Sequence, residues 1–229
     1  MSTWISEARA RRALACAALL LALPGCLALE ATPQAPLTEA ALGTGAVRLS
    51  APRGYCIDRS SLRRLKGGGG FALLAPCTQL TGTPGISVSP AMMTVSVMPQ
   101  GPGAPAPDAE SLAAAVAPAP VGAEGQKTGF AYAQVMQGGD AVLPGGDPRH
   151  WRGTRLVAGH LASLALYAPE SSPLTGREGR LLLGDLAAGL SATTTRGTEE
   201  TDADTTTATE TSTKTPRRGF FARLFPVSN

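Results

Sequence analysis

Hydrophobic and polar positions change their rhythm several times along the chain. Residues 13–23 form one unbroken apolar run behind Arg9, Arg11 and Arg12, and Pro24 and Gly25 end it. From residue 47 the rhythm shortens to alternating segments, the period-2 signature of half-buried strands. Residues 47–50 and 55–58 read as a strand entering and leaving a Pro/Gly kink, and residues 71–75 as a second strand. These two pair as a hairpin across a loop that holds Arg63, Arg64, Lys66 and four consecutive glycines, 67–70. Residues 86–89 and 93–98 alternate apolar with small polar side chains, 130–136 alternate again, and 150–167 read as two strands turning at Ala158 and Gly159. Gly138, Gly139 and Asp140 read as a turn.

Two segments carry helix signals instead. Asp108 is placed to cap a short helix over 109–117 that Pro118 stops. Thr175 and Glu178 match a capping box, followed by Leu182, Leu186 and Leu190 at four-residue steps with Leu183 and Ala187 beside them. That stripe is expected to pack on the sheet. The fold class expected is α+β: a single domain with a largely antiparallel sheet and one or two packing helices, plus a disordered C-terminal tail.

Composition separates the ends from this domain. Residues 26–45 are rich in Ala, Pro and Thr and read as a tether; the domain is expected over 46–192. Residues 193–216 are about half Thr with scattered carboxylates and no large apolar side chain, a composition that does not offset the entropy of ordering. Residues 217–229 then bring Arg217, Arg218, Phe220, Phe221, Arg223 and Phe225 together. The functional reading is a contact for anionic lipid or for another envelope protein; the plain one is a sticky terminus without a set partner.

The apolar leader is too short to span a bilayer, which takes about 20 residues, so residues 1–25 read as an export signal. Leu23, Gly25 and Cys26 resemble the bacterial lipobox, in which Leu sits at minus three, a small residue at minus one, and the cysteine becomes the lipidated N-terminus. Pro24 departs from the usual small residue there. The resemblance implies lipidation of Cys26, with each buried methylene contributing about 0.8 kcal/mol to membrane attachment, and a place on the periplasmic face of the inner or outer membrane. Ordinary signal-peptidase cleavage after Ala28 or Ala31 would release a soluble protein instead.

Cysteine and charge narrow the chemistry. With Cys16 in the leader and Cys26 reserved for lipid, Cys56 and Cys77 remain, and in an oxidising compartment they are expected to pair. Loss of the leader lowers the net charge from +3 to about +1, which leaves no nucleic-acid footprint. The glycine run lacks the Gly-Lys-Ser/Thr ending of a phosphate loop and reads as a flexible hairpin loop, so no cofactor is expected. Met92, Met93 and Met98 are soft donors that suit Cu(I), but their spacing is that of strand packing. His150 reads as an exposed strand-end residue and His160 as a turn or strand-face residue; neither has a carboxylate at ligand spacing, and no metal site is expected.

In element order, residues 47–190 are similar to the PsbP-like group of small α+β domains, in which a closing helix packs on a curved sheet. The phrases APRGYCID (51–58) and FALLAPC (71–77) also resemble an uncharacterised set of bacterial envelope proteins. Neither resemblance assigns a functional residue. Two functions are carried forward: a non-catalytic, lipid-anchored binding or assembly domain, and an enzyme or metal-handling protein with a site assembled across strands from residues such as Asp58, His150 or His160.

Overall fold

The computed structural model describes residues 35–101 and 103–193. They form an α+β unit built on a large antiparallel sheet. Its strands are β3 (Tyr55–Ile57), β4 (Arg63–Leu65), β5 (Gly69–Pro76), β6 (Met92–Pro99), β7 (Val121–Lys127), β8 (Phe130–Val135), β9 (His150–Val157) and β10 (His160–Tyr167). The spatial order is β3-β5-β6-β10-β9-β8-β7, with β4 also paired to β5. A second sheet of three strands joins β1 (Glu39–Leu42), β2 (Val47–Ser50) and β11 (Leu190–Ala192), with β2 in the middle. Four helices complete the unit: α1 (Cys77–Thr81), α2 (Ala109–Val116), α3 (Gly139–Val142) and α4 (Arg177–Ala188).

Alternation sets which way each strand faces. In β6, Met93, Val95 and Val97 are buried while Met92, Thr94, Ser96 and Met98 stay partly exposed on the opposite face. Leu183, Leu186 and Ala187 of α4 join Val95, Leu164, Leu166 and Leu49 in the main core. Each of these Leu and Val side chains contributes about 1.5–3 kcal/mol by leaving water. On the opposite face α2 sets Leu112 against Ala131 and Ala133 of β8. Asp108 caps α2 as expected, its carboxylate accepting from the Ser111 amide at 2.7 Å.

Both long hairpins close through two-residue turns with positive φ at both positions: Thr128 and Gly129 (50° and 70°), and Ala158 and Gly159 (49° and 69°). This is the turn whose twist matches the flanking strands. The hairpin over 150–167 is therefore where the alternation put it. β3 pairs the far end of β5, with Cys56 opposite Ala75, whereas residues 47–50 join the second sheet and β4 forms the tight hairpin with β5; Cys56 is bonded to Cys77 across a Cα–Cα separation of 4.8 Å.

Several expectations are corrected. Residues 86–89 alternate but form no strand; they lie between Pro84 and Pro90, which offer no amide to a ladder, and Val88 packs instead on the core. Of the basic stretch only Lys66 lies in the turn, since Arg63 and Arg64 belong to β4. The glycine run is no flexible loop either. Gly67 and Gly68 turn the chain with positive φ, whereas Gly69 and Gly70 begin β5, and a Cβ on Gly69 would meet the Val97 carbonyl oxygen at 2.7 Å. Residues 138–140 lead into the short helix α3 rather than a plain turn.

Thr175 does not cap α4: its hydroxyl donates to the Ser172 carbonyl at 2.8 Å within a 3-10 turn, and the helix starts after Gly176 without a side-chain cap. The sheet holds that end instead, through Gln134 Nε2 to the Thr175 carbonyl at 2.6 Å and Trp151 Nε1 to the Gly176 carbonyl at 3.1 Å. Leu190 belongs to β11, and Leu182 is only partly buried. Within the stretch read as a tether, residues 39–42 form β1 against β2. The edge strand β7 had no counterpart in the expectations.

Candidate functional site

A groove of about 540 Å³ runs between α4 and the end of the sheet formed by β7, β8 and β9. Its floor is aromatic. Phe130 and Tyr132 project from β8 with ring centroids 6.1 Å apart, and Tyr132 meets Trp151 of β9 edge to face at 6.2 Å. Glycines make this floor: a Cβ on Gly153 would lie 2.6 Å from Phe130 Cζ, and one on Gly125 would lie 2.5 Å from the Tyr132 hydroxyl. Tyr132 thus lies flat across Gly125 toward the open edge of the sheet.

The rim is cationic. Lys127, Arg155 and Arg180 line the groove with a single carboxylate, Asp185. Arg180 lies 5.3 Å above the Tyr132 ring, a cation–π contact. Arg155 donates to the Ala187 carbonyl near the end of α4, while its Nε is buried without a hydrogen-bond partner. Gly184, facing the groove from α4, leaves open space where a side chain would stand. Half-exposed Leu181 supplies an apolar lip. Stacked aromatics beneath cations are chemically suited to a carboxylate-bearing or otherwise anionic segment, to which they present a flat apolar surface.

A polar cluster occupies the face of the sheet that α4 does not cover. His150 stacks on Tyr167 with ring centroids 5.0 Å apart, and Arg152 lies 5.6 Å from the centroid of the same Tyr167 ring. His150 is only 5% exposed, not a solvated strand end. Burial, then the nearby Arg152, lowers its pKa to about 4, so at neutral pH it is an uncharged ring. Burial also raises the Tyr167 pKa.

The three residues weighed for a site assembled across strands are not brought together. Asp58 caps a 3-10 turn after β3, accepting from the Ser60 amide at 2.9 Å. His150 opens β9, whereas His160 opens β10 at the opposite end of that hairpin, its Nδ1 2.8 Å from the Ala158 carbonyl. Met93 is in the core, with Met92 and Met98 on the other face of β6. Among the described residues no group of three His, Cys, Asp or Glu could hold a metal, and no helix is long and apolar enough to cross a membrane. Cys26 and the C-terminal Arg217, Arg218, Phe220, Phe221, Arg223 and Phe225 lie outside the described residues.

The groove was not legible in the sequence. Lys127, Tyr132, Arg155 and Arg180 come from four elements, and residues 121–127, with glycines at 122 and 125, lack the apolar alternation that marks a strand.

No family model and no curated protein matches the chain. It is similar to a solved structure of a mutant of the protein Mog1, at 12% identity and a TM-score of 0.39, over 66% of this chain and 93% of that one. A likeness at that level carries neither a family nor a function.

Proposed function

We propose that this chain is a lipid-anchored cell-envelope protein whose domain is a non-catalytic binding or assembly module, with the groove between α4 and β8 as its contact surface. The observation that carries the binding reading is the aromatic floor under Lys127, Arg155 and Arg180, a surface that selects for negative charge. The Cys56–Cys77 bond supports a place outside the cytosol, since such bonds persist in oxidising compartments. Cys26, following Leu23 and Gly25, supplies the membrane partner, and the Arg/Phe segment 217–225 a second contact with lipid or with another envelope protein. The PsbP-like order of elements belongs to the same reading and adds no residue to it.

The anchor is tested by feeding cells labelled fatty acid: label on the mature chain that disappears in Cys26→Ser supports it, and an unlabelled chain still carrying residues 1–25 overturns it. The groove is tested by titrating a peptide of alternating Glu and Thr into the full chain with the carboxylates of residues 199–210 converted to amides, so that no acidic segment of the chain competes. Saturable binding that Arg180→Glu abolishes, with none of a Lys–Thr counterpart, is expected. Equal binding of both peptides, or of neither, removes the groove from the proposal.

A further inference from the structure

The groove borders an unfinished edge. β7 is the last strand of the large sheet, paired on one side with β8. Its register runs Lys127 opposite Phe130, Gln126 opposite Ala131, Gly125 opposite Tyr132 and Glu124 opposite Ala133. Across a two-residue turn the first pair exchanges backbone hydrogen bonds, and the exchange then alternates along the ladder. The amides and carbonyls of Gln126 and Glu124 therefore point off the sheet. Lys127 shares a face with Phe130, as Gly125 does with Tyr132, so a strand laid along this edge would present its side chains on that face to the cationic groove. Exposed strand edges of this kind take up extended segments by main-chain pairing.

The chain supplies such a segment. Residues 198–213 contain Glu199, Glu200, Asp202, Asp204 and Glu210, no basic residue, and eight threonines, a residue enriched in strands. The groove is lined up to Ala188, at the end of α4, and Thr193 follows only five residues later, its amide bonded to the Ala46 carbonyl. An extended chain covers about 3.3–3.6 Å per residue, so the acidic run begins within about 20 Å of that point. The groove carries three cations and one carboxylate, and the segment five carboxylates, of which Glu200, Asp202 and Asp204 alternate onto one face of an extended strand.

We propose that the acidic, Thr-rich segment 198–213 of this same chain pairs with the β7 edge and sets Glu200, Asp202 and Asp204 against Lys127 and Arg180. It occupies the contact surface and must leave before an external partner binds. The inference rests on the groove being the binding surface proposed above, and names its resident occupant.

The experiment compares the full chain with a full-length variant carrying E199Q, E200Q, D202N, D204N and E210Q, by amide exchange and peptide titration. In the unmodified chain the Gln126 and Glu124 amides are expected to exchange about tenfold more slowly than in the variant, and the difference to vanish at high salt. Gln126→Pro removes an outward amide without touching the β7–β8 ladder, and is expected to abolish the extra protection at Glu124. Identical exchange in the two chains overturns the inference. Protection that grows with protein concentration also overturns it, because the segment then comes from a second copy. The alternating Glu and Thr peptide is expected to bind the variant at least threefold more tightly than the unmodified chain. Equal binding to both defeats the self-occupancy and leaves the groove as a binding site; binding to neither, with no difference in exchange, defeats both.

Discussion

His150 lies stacked on Tyr167, ring centroids 5.0 Å apart and planes tilted by 20°, with Arg152 over the same tyrosine. Burial and the neighbouring Arg152 keep the imidazole uncharged. A histidine whose folded pKa is depressed to about 4 binds its proton more readily in the unfolded chain, so its contribution is complete above pH 6.5 and is lost as pH falls toward 4. The loss amounts to about 3 kcal/mol. Denaturant melts of the unmodified chain between pH 7 and 4 should show this decline, and His150→Phe, which keeps a ring on Tyr167, should flatten it. An undiminished slope in the variant would assign the acid sensitivity elsewhere.

The Cys56–Cys77 bond joins residues 21 apart, tying β3 to the start of α1. Closing a loop of that size removes conformational freedom from the unfolded chain, worth about 3 kcal/mol. Mass spectrometry of the native protein without reductant should find the two cysteines linked, and the Cys56→Ser, Cys77→Ser double variant should melt correspondingly lower. Freely alkylatable thiols in the native protein under oxidising conditions would refute the pairing.

Thr128 holds φ at 50° in the tight turn between β7 and β8, a conformation that a β-branched side chain adopts only under strain. Thr128→Asn or Thr128→Gly should stabilise the domain by about 0.5–1 kcal/mol, as should Ala158→Asn in the other hairpin. The chemical-denaturation midpoint should rise without a change in slope; an unchanged midpoint would show that the turns carry no strain.

Gly153 is expected to tolerate no side chain, because Phe130 fills the space above it and Leu183 lies 3.2 Å from the site of a Cβ. Gly153→Ala should cost about 1–3 kcal/mol and displace the aromatic floor. Altered near-ultraviolet dichroism from Tyr132 and Trp151 would report the displacement. A fully native spectrum and stability would mean that Phe130 can repack.

Where local chemistry decides the outcome, the chain is readable in advance. The hairpin at Ala158 and Gly159, the alternation of residues 93–98 and the Asp108 cap all follow from neighbours in sequence. What escaped was either a local signal overruled by another close by or a feature that depends on distant partners. Residues 86–89 have the right alternation but lie between two prolines, and Thr175 has capping chemistry that its own 3-10 turn uses first. The strand at Leu190 exists because β2 is there to receive it, and β7 because β8 offers an edge. The groove combines both difficulties: its cations come from separate elements, and its floor depends on what glycines omit.

The four residues of β2 carry β1 on one side and β11 on the other, so the first and last strands of the described unit are fastened to a common central rib. Residues far apart in sequence thereby become neighbours in space. A short splice joining the strands across that rib would let the polypeptide be reopened at an exposed hairpin tip such as Ala158–Gly159, giving a rearranged chain order on an unaltered scaffold.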